Sequence, residues 1–262
     1  MQKNKRTKSN LGLPLEYQKL PEYFDAGNIS DDTVAKNAVI EKLLGTYQVH
    51  TILDLTCGTG SQVFFLNERG YAVTGADFSP DLLNIARGRA LREKIDLSFI
   101  DGDMRTLKVG KFDAVITIFN AIGHVTKSDF EKTLRNIHEN LNDGGIYIFD
   151  IFNVNAMTDT VVADFAYQTH KKVGDTQVLG AQCSTIDRER GILTSYDVLL
   201  IQKNAEKPER FYNTFSLQIY NATELRAILE SNGFESLGHY GMQGEKFMED
   251  TTQSILTVAR KK

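Results

Sequence analysis

The sequence predicts a doubly wound α/β fold of the Rossmann-like kind, with an antiparallel β segment inserted late in the chain. Three observations lead to this prediction. Apolar runs of strand length alternate with helical stretches between residues 49 and 153, two of these runs end in an acid, and residues 165–220 hold four strand-like runs in succession. Alternating strands and helices give a parallel sheet, whose ligand crevice lies beyond the carboxyl ends of its strands.

The first strand leads directly into a glycine-containing turn. Asp54 lies near the end of this apolar run, and Gly58 and Gly60 follow it closely. Two glycines let the backbone bend sharply and approach a ligand. The third glycine of a dinucleotide-binding turn is replaced by Val63, and no Gly-Lys-Ser/Thr sequence follows. Because an acid at a strand tip suits a ligand with ammonium and sulfonium groups, the turn predicts a cationic cofactor such as S-adenosylmethionine.

Polar side chains at the tips of the next two strands suit the rest of such a cofactor. Residues 71–77 form the predicted second strand, and Asp77 at its end is placed to accept hydrogen bonds from both hydroxyls of a ribose. The third strand, residues 97–100, leads to Asp103 and Met104. A carboxylate there can accept from an exocyclic amine, and a thioether can contact an aromatic face. These two residues therefore suit adenine.

The remaining elements complete a seven-stranded sheet. Further strands are predicted at residues 112–119, 145–152, 236–240 and 253–259, with helices at residues 128–140 and from Asn221 to near Gly233. We assign residues 1–154 and 221–262 to the core. Residues 155–220 are assigned to the antiparallel insertion, which is expected to lie over the crevice mouth as a substrate lid or an oligomerisation surface.

Several motifs together resemble the class I S-adenosylmethionine-dependent methyltransferases. They lie at residues 54–60, at Asp77, and at residues 102–105, 111–115 and 141–145. The resemblance implies S-adenosylmethionine as cofactor and S-adenosylhomocysteine as product. It also implies that Gly58 and Gly60 flank the methionine moiety, that Asp77 holds the ribose, and that Asp103 contacts the adenine amine. The full set of expected cofactor-binding residues is Asp54, Cys57, Gly58, Gly60, Asp77, Phe78, Gly102, Asp103, Met104 and Phe119.

Within this family, residues 118–124 look most like small-molecule N-methyltransferases that act on amino sugars, and more distantly like glycine or sarcosine methyltransferases. The expected reaction is methyl transfer to a small acceptor, with an amine favoured over a hydroxyl. An RNA or protein methyltransferase and a non-catalytic cofactor-binding homologue are the alternatives. Base-amine enzymes typically carry Asn/Asp-Pro-Pro-Tyr/Phe after strand four, and residues 117–124 contain no proline, which disfavours a nucleic-acid acceptor.

Three residues are candidates for the catalytic centre. Methyl transfer mainly requires alignment, but an amine acceptor must be unprotonated, and a histidine can serve as base or hydrogen-bond acceptor. His124, after strand four, is the leading candidate, with a structural histidine as the alternative. Asn120 is expected to orient the substrate or to support a turn. In amino-sugar methyltransferases an N-terminal tyrosine joins the site, and Tyr17 or Tyr23 could match, with Tyr23 favoured.

Composition limits the possible partners and locations. A net charge of -4 argues against general nucleic-acid binding, and the basic tail formed by Lys3, Lys5, Arg6 and Lys8 is short. With two cysteines and no Cys/His cluster at ligand spacing, neither a disulfide framework nor a metal site is expected. No apolar run predicts a signal peptide or a membrane span, so a cytoplasmic protein, potentially a homodimer, is expected.

Overall fold

The computed structural model describes residues 11–25, 29–204 and 206–262. They contain a seven-stranded mixed sheet with helices and a separate four-stranded antiparallel sheet. The predicted Rossmann-like fold class is therefore confirmed. The four basic residues of the N-terminal tail lie outside the described ranges. No helix in the described part of the chain is long and apolar enough to cross a membrane.

The elements follow one another in this order along the chain. The strands are β1 (Thr51–Asp54), β2 (Ala72–Asp77), β3 (Ser98–Asp101), β4 (Phe112–Thr117), β5 (Leu141–Phe152), β6 (Tyr167–Val173), β7 (Thr176–Asp187), β8 (Ile192–Lys203), β9 (Glu209–Gln218), β10 (Phe234–Tyr240) and β11 (Ser254–Lys261). The helices are α1 (Asp31–Gly45), α2 (Ser61–Asn67), α3 (Pro80–Glu93), α4 (Lys127–Asn140), α5 (Asp159–Asp164) and α6 (Ala222–Ser231).

The larger sheet has the strand order β10-β11-β5-β4-β1-β2-β3. Strands β1 to β5 are parallel, whereas β11 runs antiparallel to both β5 and β10. Within the sheet, the chain passes first through β1 in the middle, then through β2 and β3 on one side. It then crosses to the other side of β1, where β4 pairs with it. Such a reversal of strand order opens a crevice at the carboxyl ends of the strands, and the glycine turn after β1 lies there.

Helix α4 shows how the sequence produces this layered packing. Thr126 is its N-cap, and the hydroxyl oxygen accepts a hydrogen bond from the backbone N–H of Asp129 at 3.3 Å. Phe130, Leu134 and Ile137 share one face of the helix and are fully buried against the sheet. Burial of each such side chain contributes about 1.5–3 kcal/mol, so this face fixes the helix on the sheet.

Helix α1 was not predicted from the sequence, and its buried face explains why. That face consists of Thr33, Asn37, Ile40 and Leu44, so half of it is polar and the apolar period is weak. Asn37 is satisfied by side chains of α2, because its Oδ1 accepts from Gln62 at 3.1 Å and its amide donates to Ser61 at 3.3 Å. A tertiary hydrogen-bond pair thus takes the place of apolar contacts.

The smaller sheet, in the order β6-β7-β8-β9, lies within the predicted antiparallel insertion. One short helix, α5, precedes it and was not anticipated. Residues 11–25 pack against this sheet: the backbone N–H of Ser216 donates to the carbonyl of Leu11 at 2.7 Å, and the amide of Asn213 donates to the carbonyl of Leu13 at 3.0 Å. The N-terminal segment is therefore attached to the insertion.

Candidate active site

A hydrogen bond to the carboxylate of Asp77 links the glycine turn to the end of β2. One carboxylate oxygen accepts from the backbone N–H of Gly58 at 2.8 Å, and the other accepts from the backbone N–H of Ser79 at 2.7 Å. Gly58 has a φ of 54°, a left-handed conformation that glycine adopts without cost. Burial raises the pKa of Asp77 to about 6 even though both N–H donors lower it.

Asp54 lies beneath the same turn and is only 1% exposed. One of its oxygens accepts from the backbone N–H of Thr56 at 3.3 Å, whereas Oδ2 has no hydrogen-bond partner among the described residues. Burial raises the pKa of Asp54 to about 8, and the nearby charge of Asp77 raises it further. A buried acid with an unsatisfied oxygen favours a positive charge placed close to it.

A cavity opens beyond these strand tips. Of the predicted cofactor-binding residues its wall contains Cys57, Gly58, Asp77, Phe78, Asp103, Met104 and Phe119, and of the predicted catalytic residues it contains His124. Asp54, Gly60, Gly102, Asn120 and Tyr23 are not in the wall. Gly60 and Gly102 instead permit close packing behind it, because a Cβ would lie 3.0 Å from the ring of Phe64 at the first position and 2.7 Å from Leu107 at the second.

Asp103 reaches the cavity with its carboxylate already engaged by an arginine. Arg105 forms a forked pair with it, and its other terminal nitrogen donates to Asp129 at the start of α4 at 2.9 Å. The first contact raises the pKa of Arg105 far above its ordinary value, so the guanidinium stays charged. A carboxylate has about four lone-pair sites, so Asp103 keeps room for one further donor.

The loop after β4 brings two more side chains to the wall. Phe119 and Asn120 both adopt left-handed conformations, with φ values of 64° and 56°. A 3-10 turn, Ala121–His124, follows at once and carries His124. This turn lies against β5 and β9 so closely that a Cβ at Gly123 would be 2.9 Å from Ile151 and 3.2 Å from the carbonyl of Gln218. The backbone of the turn, and with it His124, is fixed by packing.

The N-terminal tyrosine at the cavity is Tyr17, not Tyr23. The ring of Tyr17 meets that of His124 edge-on, with centroids 5.4 Å apart and an interplanar angle of 89°. Tyr23 is instead buried in an apolar cluster with Leu15 and Leu199, against the smaller sheet. Tyr23, the tyrosine favoured from the sequence, is therefore not part of the cavity wall. Sequence could not separate the two tyrosines, because residues 11–25 form short 3-10 turns without a regular period.

Burial sets the protonation state of both aromatic groups at this end of the cavity. It lowers the pKa of His124 to about 4, so the imidazole is neutral at physiological pH. It also raises the pKa of the Tyr17 phenol well above its ordinary value, an effect strengthened by the carboxylates of Asp77, Glu16 and Asp150. The wall near Tyr17 thus lies in a negative electrostatic field.

The N-terminal segment covers the glycine turn. The ring of Phe24 lies 3.4 Å from the position that a Cβ on Gly58 would take, and it packs against Tyr17 with centroids 5.4 Å apart. The hydroxyl of Thr59 donates to Asp25 Oδ1 at 2.6 Å. A ligand in the cavity would lie beneath residues 11–25. The hydrogen bond between Thr59 and Asp25 connects this segment to the glycine turn.

Removing the hydrogen bond between Thr59 and Asp25 is expected to increase the rate of ligand release. Thr59→Val keeps the side-chain shape but leaves the Asp25 carboxylate without this donor, so S-adenosylmethionine should bind about three- to tenfold more weakly, mostly through a faster dissociation rate. Stopped-flow displacement measures that rate. Thr59→Ser, which retains the hydroxyl, is the matched control. Equal dissociation rates for Thr59→Val and the unaltered protein would contradict this prediction.

Comparison with known proteins agrees with this geometry. Residues 52–145 match the model of a family described as a methyltransferase domain, and this range contains all of β1 except Thr51, the glycine turn, and β2 to β4. This part of the chain is a methyltransferase domain, and the relatives and structural neighbours of the chain include S-adenosylmethionine-dependent methyltransferases.

Relatives and structural neighbours of this methyltransferase cover much of the chain. The YqeM protein of Bacillus subtilis is 27% identical over 70% of this chain and 73% of its own length. The glycine/sarcosine/dimethylglycine N-methyltransferase of Actinopolyspora halophila is 29% identical over 81% of this chain, which corresponds to 36% of that larger protein. The sugar N-methyltransferase KedS8 from Streptoalloteichus superposes with a TM-score of 0.75 at 18% identity, covering 92% of each chain, and shares the fold.

The cavity of this methyltransferase suits a cationic methyl donor. Asp77 and Asp103 supply carboxylates to the wall, and the unsatisfied Oδ2 of Asp54 adds an acid beneath the turn that a positive ligand would favour in its charged form. In the described ranges, no cluster of three or more His, Cys, Asp or Glu is placed to hold a metal ion. The donor set is therefore one of oxygen acceptors and apolar surface, which fits S-adenosylmethionine.

Proposed function

We propose that this methyltransferase transfers a methyl group to the nitrogen of a small amine that carries no anionic group. The observation that supports the proposal is one cavity whose wall contains Asp77 and Gly58 together with the Tyr17–His124 pair. Bound S-adenosylmethionine supplies the methyl group on a positively charged sulfur. The protein has to bind it, orient the acceptor and exclude water, and such alignment is worth ~7–11 kcal/mol.

Four residues in the wall are proposed to hold the cofactor. Asp77 accepts hydrogen bonds from the ribose hydroxyls, and Gly58 leaves space for the methionine moiety. Asp103, oriented by Arg105, accepts from the adenine amine, and Met104 contacts the ring. Their position around one cavity supports these roles.

The neutral state of His124 favours an amine acceptor over an alcohol. With a pKa of about 4, the imidazole is too weak a base to activate an alcohol, but it can accept a hydrogen bond. A neutral amine is already nucleophilic, and donating an N–H to His124 would aim its lone pair at the methyl group. The desolvation that lowers the pKa of His124 also disfavours the ammonium form of the acceptor.

The charges around the cavity disfavour a carboxylate or a phosphate on the acceptor. Arg105 supplies the permanent positive charge among the described wall residues, and it is engaged by Asp103 and Asp129. The carboxylates of Asp77, Glu16 and Asp150, which raise the pKa of Tyr17, would repel an anion placed beside that phenol. Nucleotide-linked sugars and amino acids are therefore poor candidates, even though relatives of this chain include a methyltransferase named for glycine.

The cover over the cavity supports a small acceptor. Residues 11–25 lie over the glycine turn, and Phe215 of β9 lies 6.1 Å from His124 between ring centroids. We propose that residues 155–220 act with the N-terminal segment as the lid, and that the enzyme works in the cytoplasm. An RNA or protein acceptor would require both parts to move away.

A product assay with matched acceptors tests the proposal. S-adenosylhomocysteine release would be measured with pairs that differ by one anion, such as 2-phenylethylamine against phenylalanine and glucosamine against its 6-phosphate. We expect the member without the anion to have a kcat/KM at least about tenfold higher, since one repulsive contact of ~1.4 kcal/mol suffices. Preference for the anionic members or for alcohols would overturn the amine proposal. Binding of S-adenosylmethionine without turnover of any small acceptor would favour a non-catalytic or macromolecule-directed role.

A further inference from the structure

The turn after β4 is held in an unfavourable backbone conformation. Phe119 and Asn120 are consecutive residues with positive φ, at 64° and 56°. Asparagine tolerates this region, but a bulky residue such as phenylalanine rarely adopts it, because Cβ approaches the following carbonyl oxygen. Two such residues in a row persist only where the surroundings hold them, and they cluster at functional sites.

A buried carboxylate from the neighbouring strand stabilises this backbone conformation. Asp150 on β5 is 2% exposed, and its Oδ2 accepts from the backbone N–H of Asn120 at 3.3 Å. Burial raises the pKa of Asp150 to about 6. The backbone N–H groups of Asn120 and Phe119 and the charge of Lys36 on α1 act in the opposite direction, because they stabilise the charged carboxylate. The ammonium of Lys36 in turn lies 5.6 Å from the centre of the Phe119 ring.

This arrangement bears on two residues of the cavity wall, Phe119 and His124. Phe119 is part of the wall, and Asn120 is the N-cap of the 3-10 turn that carries His124. A turn that relaxed to negative φ values would withdraw the Phe119 ring and re-aim the imidazole together. Asp150 is outside the wall itself, so its effect on ligands passes through the backbone of the turn.

We infer that Asp150 is a positioning residue whose backbone hydrogen bonds hold the left-handed Phe119–Asn120 turn in the shape that lines the cofactor site. The inference rests on the proposed place of Phe119 beside the cofactor. Asp150 lies within the apolar run of residues 146–152, where an acid is expensive to bury. Its retention at this point of β5 is explained by the N–H groups that the strained turn presents to it.

Binding of S-adenosylmethionine, followed by calorimetry, provides the test. Asp150→Ala removes the acceptor, and we expect the Kd to rise about tenfold, the effect of losing a charge-assisted hydrogen bond. Asn120→Gly on that background lets position 120 adopt positive φ without strain, and should recover about threefold or more. The four proteins of this double-mutant cycle separate turn geometry from other effects, because a general loss of packing would not be repaired by a glycine.

Two further variants keep the test decisive. Asp150→Asn retains an oxygen acceptor without the charge, and its Kd should stay within about threefold of that of the unaltered protein. Asp113→Ala is the matched control: this carboxylate also accepts backbone N–H groups, from His50 at 3.1 Å and Thr51 at 2.9 Å, but at the opposite end of the sheet. It should lower the melting temperature and leave the Kd unchanged.

Distinct results would contradict the inference and the proposed function. Asp150→Ala with an unchanged Kd, Asp150→Asn with a tenfold weaker Kd, or an Asp150→Ala defect that Asn120→Gly does not reduce would each overturn the positioning role. Absence of S-adenosylmethionine binding by the unaltered protein would overturn the proposed cofactor site instead. If Asp150→Ala does not fold, the Asp150→Asn result decides alone.

Discussion

Replacing Asp54 by asparagine is expected to stabilise the ligand-free protein at pH 8 while weakening S-adenosylmethionine binding by at least about tenfold. The reason is the environment of this carboxyl: it is 1% exposed, one oxygen has no partner among the described residues, and burial raises its pKa to about 8. Charging it in the ligand-free state is costly, and a bound sulfonium and ammonium offset that cost. Thermal unfolding and calorimetry measure the two effects on the same variant.

The pH dependence follows from the direction of the pKa shift. The folded protein holds a proton on Asp54 up to about pH 8, whereas the unfolded chain loses it near the ordinary value of 3.8. Stability contributed by this group is therefore complete below the lower value and is lost as the pH rises through the upper one. Asp54→Asn removes this loss, so its stabilising effect should grow between pH 5 and pH 8, by roughly several kcal/mol at most.

The same shift predicts a proton released on binding. Near pH 7 the ligand-free carboxyl is mostly protonated, and a positive ligand lowers its pKa, so binding should release a proton and tighten as the pH rises. Calorimetry in buffers with different ionisation enthalpies detects that proton. Asp113→Asn is the control, because hydrogen bonds from Thr51 and His50 lower the pKa of Asp113 at the other end of the sheet. Identical proton release by Asp54→Asn and by the unaltered protein would refute the mechanism.

The sequence predicted the sheet well because its central strands β1, β4 and β5 are buried on both faces. Their runs are mostly apolar, and the turns between strand and helix carry acids and glycines. Asp77 and Gly58 could be assigned to one site because the carboxyl ends of neighbouring parallel strands meet at one edge. Their shared hydrogen bond of 2.8 Å shows how close they lie.

The residues that sequence did not place correctly depend on contacts between distant segments. Tyr17 reaches His124 only because residues 11–25 are attached to the smaller sheet, and no local period records that attachment. Asp150 differs from Tyr17, because the sequence did indicate that it is unusual, although it was not predicted as a site residue. It is an acid in the middle of an apolar strand, and such a residue needs a buried partner.

Replacing His124 by alanine is expected to lower kcat about 10- to 100-fold with little change in the Kd for S-adenosylmethionine. The imidazole lies in the cavity wall, beside Tyr17 and Phe215, and burial keeps it neutral. Its loss removes a hydrogen-bond acceptor for the incoming amine but no contact to the cofactor. Steady-state kinetics with the best amine from the matched pairs, together with calorimetry, separates the two quantities.

His239 supplies a matched control for this substitution. Burial lowers its pKa to about 4 as well, but it lies on β10, its Nδ1 is hydrogen-bonded to Thr257 at 3.0 Å, and it is not part of the cavity wall. Both histidines are protonated in the unfolded chain below about pH 6.5 and neutral in the folded protein down to about pH 4, so each makes stability fall as the pH drops through this window. Only His124→Ala should change kcat, whereas either substitution should reduce the acid sensitivity of folding.

The pH profile of the unaltered enzyme then distinguishes a hydrogen-bond acceptor from a general base. A base with an ordinary histidine pKa would give an inflection in kcat/KM near pH 6.5. Because burial keeps the pKa of His124 near 4, kcat/KM should instead rise smoothly from pH 6 toward the pKa of the acceptor amine, as the neutral amine becomes more abundant. His124→Gln, which keeps an acceptor oxygen, should retain this slope and more activity than His124→Ala. An inflection near pH 6.5 that disappears in His124→Gln would show that the imidazole takes the proton itself.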